Sequence, residues 1–230
     1  MSEKTEKDEN ILLGNVEETY SRAEKYIEEN KKSLSIIIGA IVVIIGGYFA
    51  FKKLYLAPKE LEAQDDMFVA EQYFEKDSLD KAINGDGNYL GFKQIVEDYG
   101  FTKSANLARY YLGISYLKKG QFELAIEELE QFDSDDEMLG PLATGAIGDA
   151  QSELGKTDEA IEYYLKAAKQ KSNKFTTPIF LMKAGLAYEE KKDFAGALQV
   201  YEQIKNDYAE STEGRNIQKY IVRAKNLVKG

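Results

Sequence analysis

Residues 106–132, NLARYYLGISYLKKGQFELAIEELEQF, decide the fold, because the same pattern returns twice further along the chain. The segments PLATGAIGDAQSELGKTDEAIEYYLKA from Pro141 and PIFLMKAGLAYEEKKDFAGALQVYEQI from Pro178 align with it. Each has glycine at one place in a first helical pattern (Gly113, Gly148, Gly185). Each has alanine twelve residues later in a second (Ala125, Ala160, Ala197), and the glycines are 35 and 37 residues apart. Self-similarity at such a period marks stacked helix pairs. The small residues have a physical reason: where two antiparallel helices cross closely, neither face has room for more than a methyl group. Tyr116, Tyr188, Leu129, Tyr164 and Tyr201 are expected to fill the volume around the crossing.

Working outward, Glu60–Tyr99 reads as an earlier, irregular unit. Ala70 is its small residue, Tyr73 the aromatic that comes after it, and Phe92, Ile95 and Tyr99 belong to its second helix. Asn84-Gly85-Asp86-Gly87-Asn88 is a loop signal and predicts an enlarged turn over 83–90. A calcium-binding EF-hand loop counted from Asn84 would need glycine and glutamate where Tyr89 and Ile95 stand, so no metal is expected there. Asp133–Glu137 reads as a solvated turn between units. In 211–229, Ile217, Ile221, Ala224 and Val228 share one face, as a helix closing the open end of a stack requires.

Upstream, Ser33–Phe51 (SLSIIIGAIVVIIGGYFAF) has no charged residue and would run about 28 Å as a helix, enough to cross a bilayer core. Lys31 and Lys32 before it and Lys52 and Lys53 after it can reach the two headgroup layers. About 33 polar residues precede it and no small-residue cleavage site comes after it, which reads as a retained anchor rather than a cleaved signal. Residues 1–14 read as a disordered, mixed-charge tail. Residues 15–32 read as a short amphipathic helix with Val16, Tyr20, Ala23 and Ile27 on one face and a capping box of Asn15 and Glu18. The expected layout is therefore the tail, that helix, a span over 33–53 and a repeat domain over 54–230. Its units are 60–105, 106–140, 141–177 and 178–210, with a closing helix at 211–229.

Composition narrows the function. The 230 residues include no cysteine and no histidine, which removes disulfides, thiolate and imidazole metal sites, and the common nucleophile–base pairs. The net charge is −10, and residues 54–230 carry 22 Lys and Arg against 31 Asp and Glu, so a phosphate-binding basic face is not expected. Carboxylates are plentiful, but no spacing singles out a catalytic pair. The expectation is a non-catalytic protein with no cofactor, no metal and no small-molecule substrate, whose partners are proteins and a membrane.

Leu112-Gly113, Tyr116 and Ala125 resemble the tetratricopeptide repeat. Gln151, Ile147, Ala184 and Leu129 depart from its pattern at single positions. The resemblance implies an all-α helical solenoid of about four helix pairs whose first helices line a concave wall. Carried over by position, that wall comprises Leu107, Tyr110, Ile114 and Leu117, then Gly145, Asp149 and Ser152, then Ile179, Met182, Leu186 and Glu189. Such a wall suits an extended or helical polypeptide.

The layout as a whole is similar to the YfgM-like family of bacterial inner-membrane proteins. That resemblance implies an ancillary, chaperone-like partner of the Sec translocon. It would have a cytoplasmic N-terminus and a periplasmic repeat domain, and would work beside a periplasmic chaperone on secreted or envelope proteins. A structural scaffold or assembly factor of an envelope or secretion complex remains the alternative.

Overall fold

The computed structural model describes the backbone of residues 2–229, and side chains except those of 1–21, 23 and 229–230. It divides into two units, 1–57 and 58–230. The first is helix α1, Ser2–Phe51, continued by a π-helical turn, Lys52–Leu56. Because α1 begins at Ser2, residues expected to form a disordered tail are helical here. They contain no proline or glycine before Gly14, and their Glu and Lys residues are good helix formers. The face expected from Val16, Tyr20 and Ala23 and the capping box of Asn15 and Glu18 lie outside the described side chains. The most apolar stretch of α1 is long enough to cross a membrane and none of it is buried in the chain. Ile36, Val43 and Ile44 are each about two-thirds exposed or more, so this is no core helix of a globular fold.

The second unit is a row of helix pairs with no strand among the described residues. It comprises α2 Ala57–Glu75, α3 Leu79–Asn84, α4 Phe92–Asp98, α5 Lys103–Lys118, α6 Phe122–Gln131, α7 Leu139–Glu153, α8 Thr157–Gln170, α9 Thr176–Glu190, α10 Phe194–Asp207 and α11 Thr212–Lys229. Pro141 and Pro178 fall in the first turns of α7 and α9, where their missing N–H groups cost nothing.

The glycines lie where the helices cross. A β-carbon on Gly113 would sit 2.6 Å from Leu129 Cγ, one on Gly148 2.7 Å from Tyr164 Cδ1, and one on Gly185 2.2 Å from Tyr201 Cε1. The Ala125 and Ala160 carbonyl oxygens lie 3.3 Å from the first two positions, so glycine and alanine do face each other across the pair. Around them Leu112, Ala146, Ile147, Tyr164, Tyr201 and Ile204 are buried.

All four units turn the same corner. Asp77, Gly120, Gly155 and Lys192, each seven residues after the small residue, have positive φ of 55°, 72°, 73° and 64°. At each the next N–H reaches a carbonyl five residues back: Ser78 to Tyr73, Gln121 to Tyr116, Lys156 to Gln151, and Asp193 to Tyr188, all 2.8–2.9 Å. This closes the first helix with a left-handed cap.

The first unit therefore shares the common register, with Ala82, fully buried, twelve residues after Ala70. The expected enlarged turn over 83–90 is corrected. The Gly85–Gly91 loop does not join the two helices of the pair but cuts the second helix into α3 and α4. Positive φ at Gly85 and Gly87 makes the loop, and the Asp86 carboxylate holds it, accepting the N–H groups of Asn88 and Tyr89 and the Tyr73 hydroxyl.

Between units, side chains cap the incoming helices. Thr102 accepts from Ala105 N–H, Asp136 from Met138 and Leu139, Asn173 from Phe175 and Thr176, and Ser211 from Gly214. The acidic 133–137 run is thus a cap as well as a turn. On α11, Ile217, Ile221 and Ala224 are buried as expected, whereas Val228 is half exposed.

Candidate polypeptide-binding site

The packing of the units shows which way the row bends. Helix α5 touches α7, α7 touches α9 and α9 touches α11, whereas α6 does not approach α8, nor α8 α10. First helices packed side by side with splayed second helices put the first helices on the inside of the curve. That is the wall expected from the sequence.

Along it the candidate residues separate into three groups. Leu117, Asp149 and Ser152 come together in a shallow cleft of about 530 Å³, shared with Phe122, Tyr164 and Lys183. Ile179, Met182 and Leu186 succeed one another on a single face of α9, with Ile179 37% and Leu186 44% exposed and Met182 half-buried. The third group is largely built into the stack. Leu107 packs on the core of the first pair. Tyr110 and Ile114 pack on Leu129, Ala143 and Ile147, and the Tyr110 ring lies 5.4 Å from that of Phe132. Gly145 is not part of the wall: it is buried, and a β-carbon there would sit 1.9 Å from Phe180 Cε1, so it seats the next unit's ring.

The two acids in the candidate set are held by ion pairs. Asp149 accepts the Tyr164 hydroxyl at 2.8 Å and Lys183 Nζ at 2.5 and 2.7 Å, tying α7, α8 and α9 together. Burial, with the Asp149 charge beside it, pushes the Tyr164 phenol far up, so it remains a donor. Glu189 takes both Nε and Nη2 of Arg223 on α11, the bidentate arrangement that fixes a guanidinium plane. Both acids therefore join neighbouring units and present themselves as paired charges. Sequence reading misses their partners, although each cation lies 34 residues after its acid, one repeat length.

A similar device anchors the first unit. The Glu60 carboxylate on α2 receives the Lys103 N–H at 2.7 Å and the Ser104 N–H and hydroxyl at 3.1 and 2.6 Å, occupying the start of α5. Burial raises its pKa, but the Ser104 and Lys103 donors outweigh that and hold it below the ordinary glutamate value.

Comparison with known proteins agrees with this geometry. Tetratricopeptide repeat family models match residues 107–135 and 146–211. Among curated proteins none matches the chain. Two crystal structures of a protein described as a kinesin light chain of Podosopora anserina with nearly identical TPR-like repeats, one of them a single-substitution variant, superpose with a TM-score of 0.55 each. They are 17% and 18% identical, and each alignment covers 73% of this chain and 87% of the other. At that identity the likeness is one of fold. The chain contains tetratricopeptide repeats, arranged as an all-helical solenoid that comes after a long apolar N-terminal helix.

Proposed function

We propose that this protein is a membrane-anchored protein-interaction module whose wall of first helices receives an extended or helical polypeptide segment. The observation that carries the reading is the exposed apolar face of Ile179, Met182 and Leu186 beside the Leu117–Ser152 cleft, on the inner side of a repeat stack. The wholly exposed apolar stretch of α1 supports the anchor, since water is a costly surrounding for it and a bilayer is not.

The similarity of the layout to the YfgM-like family favours an ancillary, chaperone-like role at the Sec translocon. In it the repeat domain is periplasmic and the N-terminus cytoplasmic, and the clients are secreted or envelope proteins. We read the chain as having no catalytic role.

Two experiments test this. Protease added to intact spheroplasts digests the repeat domain if it is periplasmic, and protection would rule that topology out. A photo-crosslinker at Leu186 in cells gives adducts with nascent secreted chains and translocon subunits. Adducts limited to a fixed set of envelope components would replace the chaperone-like reading with a scaffold.

A further inference from the structure

At the edge where the units are joined, Phe101, Met138 and Phe175 each lie at or just before the start of a first helix and point into solvent, Phe101 84% and Phe175 71% exposed. A cavity lies at the last of these. It measures about 760 Å³, within the ~300–1,000 Å³ range of ligand-sized pockets, and lies between Phe175, Ile179 and Met138 on one side and the α10–α11 turn at Tyr208 on the other. Gly214 makes the notch possible. A β-carbon there would sit 2.1 Å from the Tyr208 carbonyl oxygen, so only glycine lets the turn fold in beneath α11.

The rim of the notch is acidic. Asp207, Glu210 and Glu213 border it against one cation, Lys174. Three acids that tie neighbouring units together are, by contrast, matched within the chain: Asp149 by Lys183, Glu189 by Arg223, Asp158 by Lys191. None of the three rim carboxylates has a cation partner among the described residues. An apolar floor with unmatched negative charge around it complements a segment that carries lysine or arginine on both sides of a large apolar side chain.

We infer that this notch is a second docking site, beside the start of α9 and sharing only Ile179 with the wall of first helices, for a basic polypeptide segment anchored by an aromatic or aliphatic side chain. Phe175 and Ile179 grip the anchor, and Asp207, Glu210 and Glu213 take the flanking cations.

The test uses the full chain in nanodiscs of zwitterionic lipid. The probe is a fluorescein-labelled peptide alternating lysine with phenylalanine and leucine, with its glutamate-for-lysine counterpart as comparison. The lysine peptide is expected to bind, more weakly as salt is raised, and the glutamate peptide is not. Phe175→Ser, at an exposed position, weakens binding about tenfold, as loss of an aromatic anchor does. Glu210→Lys with Glu213→Lys does so comparably through the rim alone, while Leu186→Ser on the wall leaves it unchanged. Equal binding of both peptides, or retention after Phe175→Ser, overturns the proposal. Loss with Leu186→Ser instead would move binding to the wall and overturn it too. Self-association of the chain that Phe175→Ser abolishes would make the notch a contact with a second copy and overturn it likewise.

Discussion

The first helix pair and the third obey the same register and differ beyond the crossing. In the third, α7 and α8 run unbroken, and Asp149 is neutralised by Lys183 of the next unit. In the first, the helix after Ala82 is cut by the Gly85–Gly91 loop. Glu71, one residue after the small residue as Asp149 is, has no ion pair with a cation among the described residues: burial and the nearby Glu75 push its pKa up. The common part is the crossing and the corner that precedes it; the loop and the charge pairing vary around it. A repeat tolerates an insertion once its small residues have met, because closure of a surface loop costs little compared with loss of the crossing.

Disrupting the crossing should therefore have the largest effect. Gly185→Leu forces a side chain into the Tyr201 ring and should cost about 3 kcal/mol, read as loss of amide-exchange protection through α9, α10 and α11. Gly85→Ala acts on the irregular pair alone. Its φ is 80° and a β-carbon would meet the Tyr89 carbonyl oxygen at 2.3 Å, so about 2 kcal/mol should be lost, with faster exchange confined to α2, α3 and α4.

The charge difference is smaller. A double-mutant cycle on Asp149→Ala and Lys183→Ala should give about 1 kcal/mol of coupling in urea unfolding, because both side chains are one-third exposed and solvent screens the pair. Smallest is Glu71→Gln, worth roughly 0.3 kcal/mol of stabilisation at pH 7. A carboxyl whose pKa is raised by folding gains stability as pH falls through that raised value. The advantage of Gln should therefore shrink on acidification and be gone below the ordinary glutamate value of 4.5, in paired melts at pH 7 and pH 4.

Much of this architecture can be read from the residues, since glycine and alanine at a crossing leave a fixed spacing whatever surrounds them. The place of the loop cannot, because Asn84–Asn88 looks like any turn, while the true corner at Asp77 uses a non-glycine residue in the left-handed region. Ala82, twelve residues after Ala70, is the sign that the corner has already been passed. At the candidate site, Leu186 and Ile179 lie where position on α9 predicts. Tyr110 and Ile114 instead pack between units, because helical spacing names a face but not how far the next unit overlaps it. Phe101, Met138 and Phe175 recur 37 residues apart, but that spacing marks only the joints between units, and it is the fold that shows the notch at Phe175.

The chain has no native cysteine, so a single cysteine reports one position cleanly. The most direct test is the rate of maleimide labelling of Leu186→Cys on the wall and Glu162→Cys on the outer face of α8, in the full chain, with and without an unfolded secreted polypeptide. A polypeptide bound along the first helices slows labelling at position 186 severalfold and leaves 162 unchanged. Equal rates at 186 with and without the polypeptide, or slowing at 162 alone, would contradict the account.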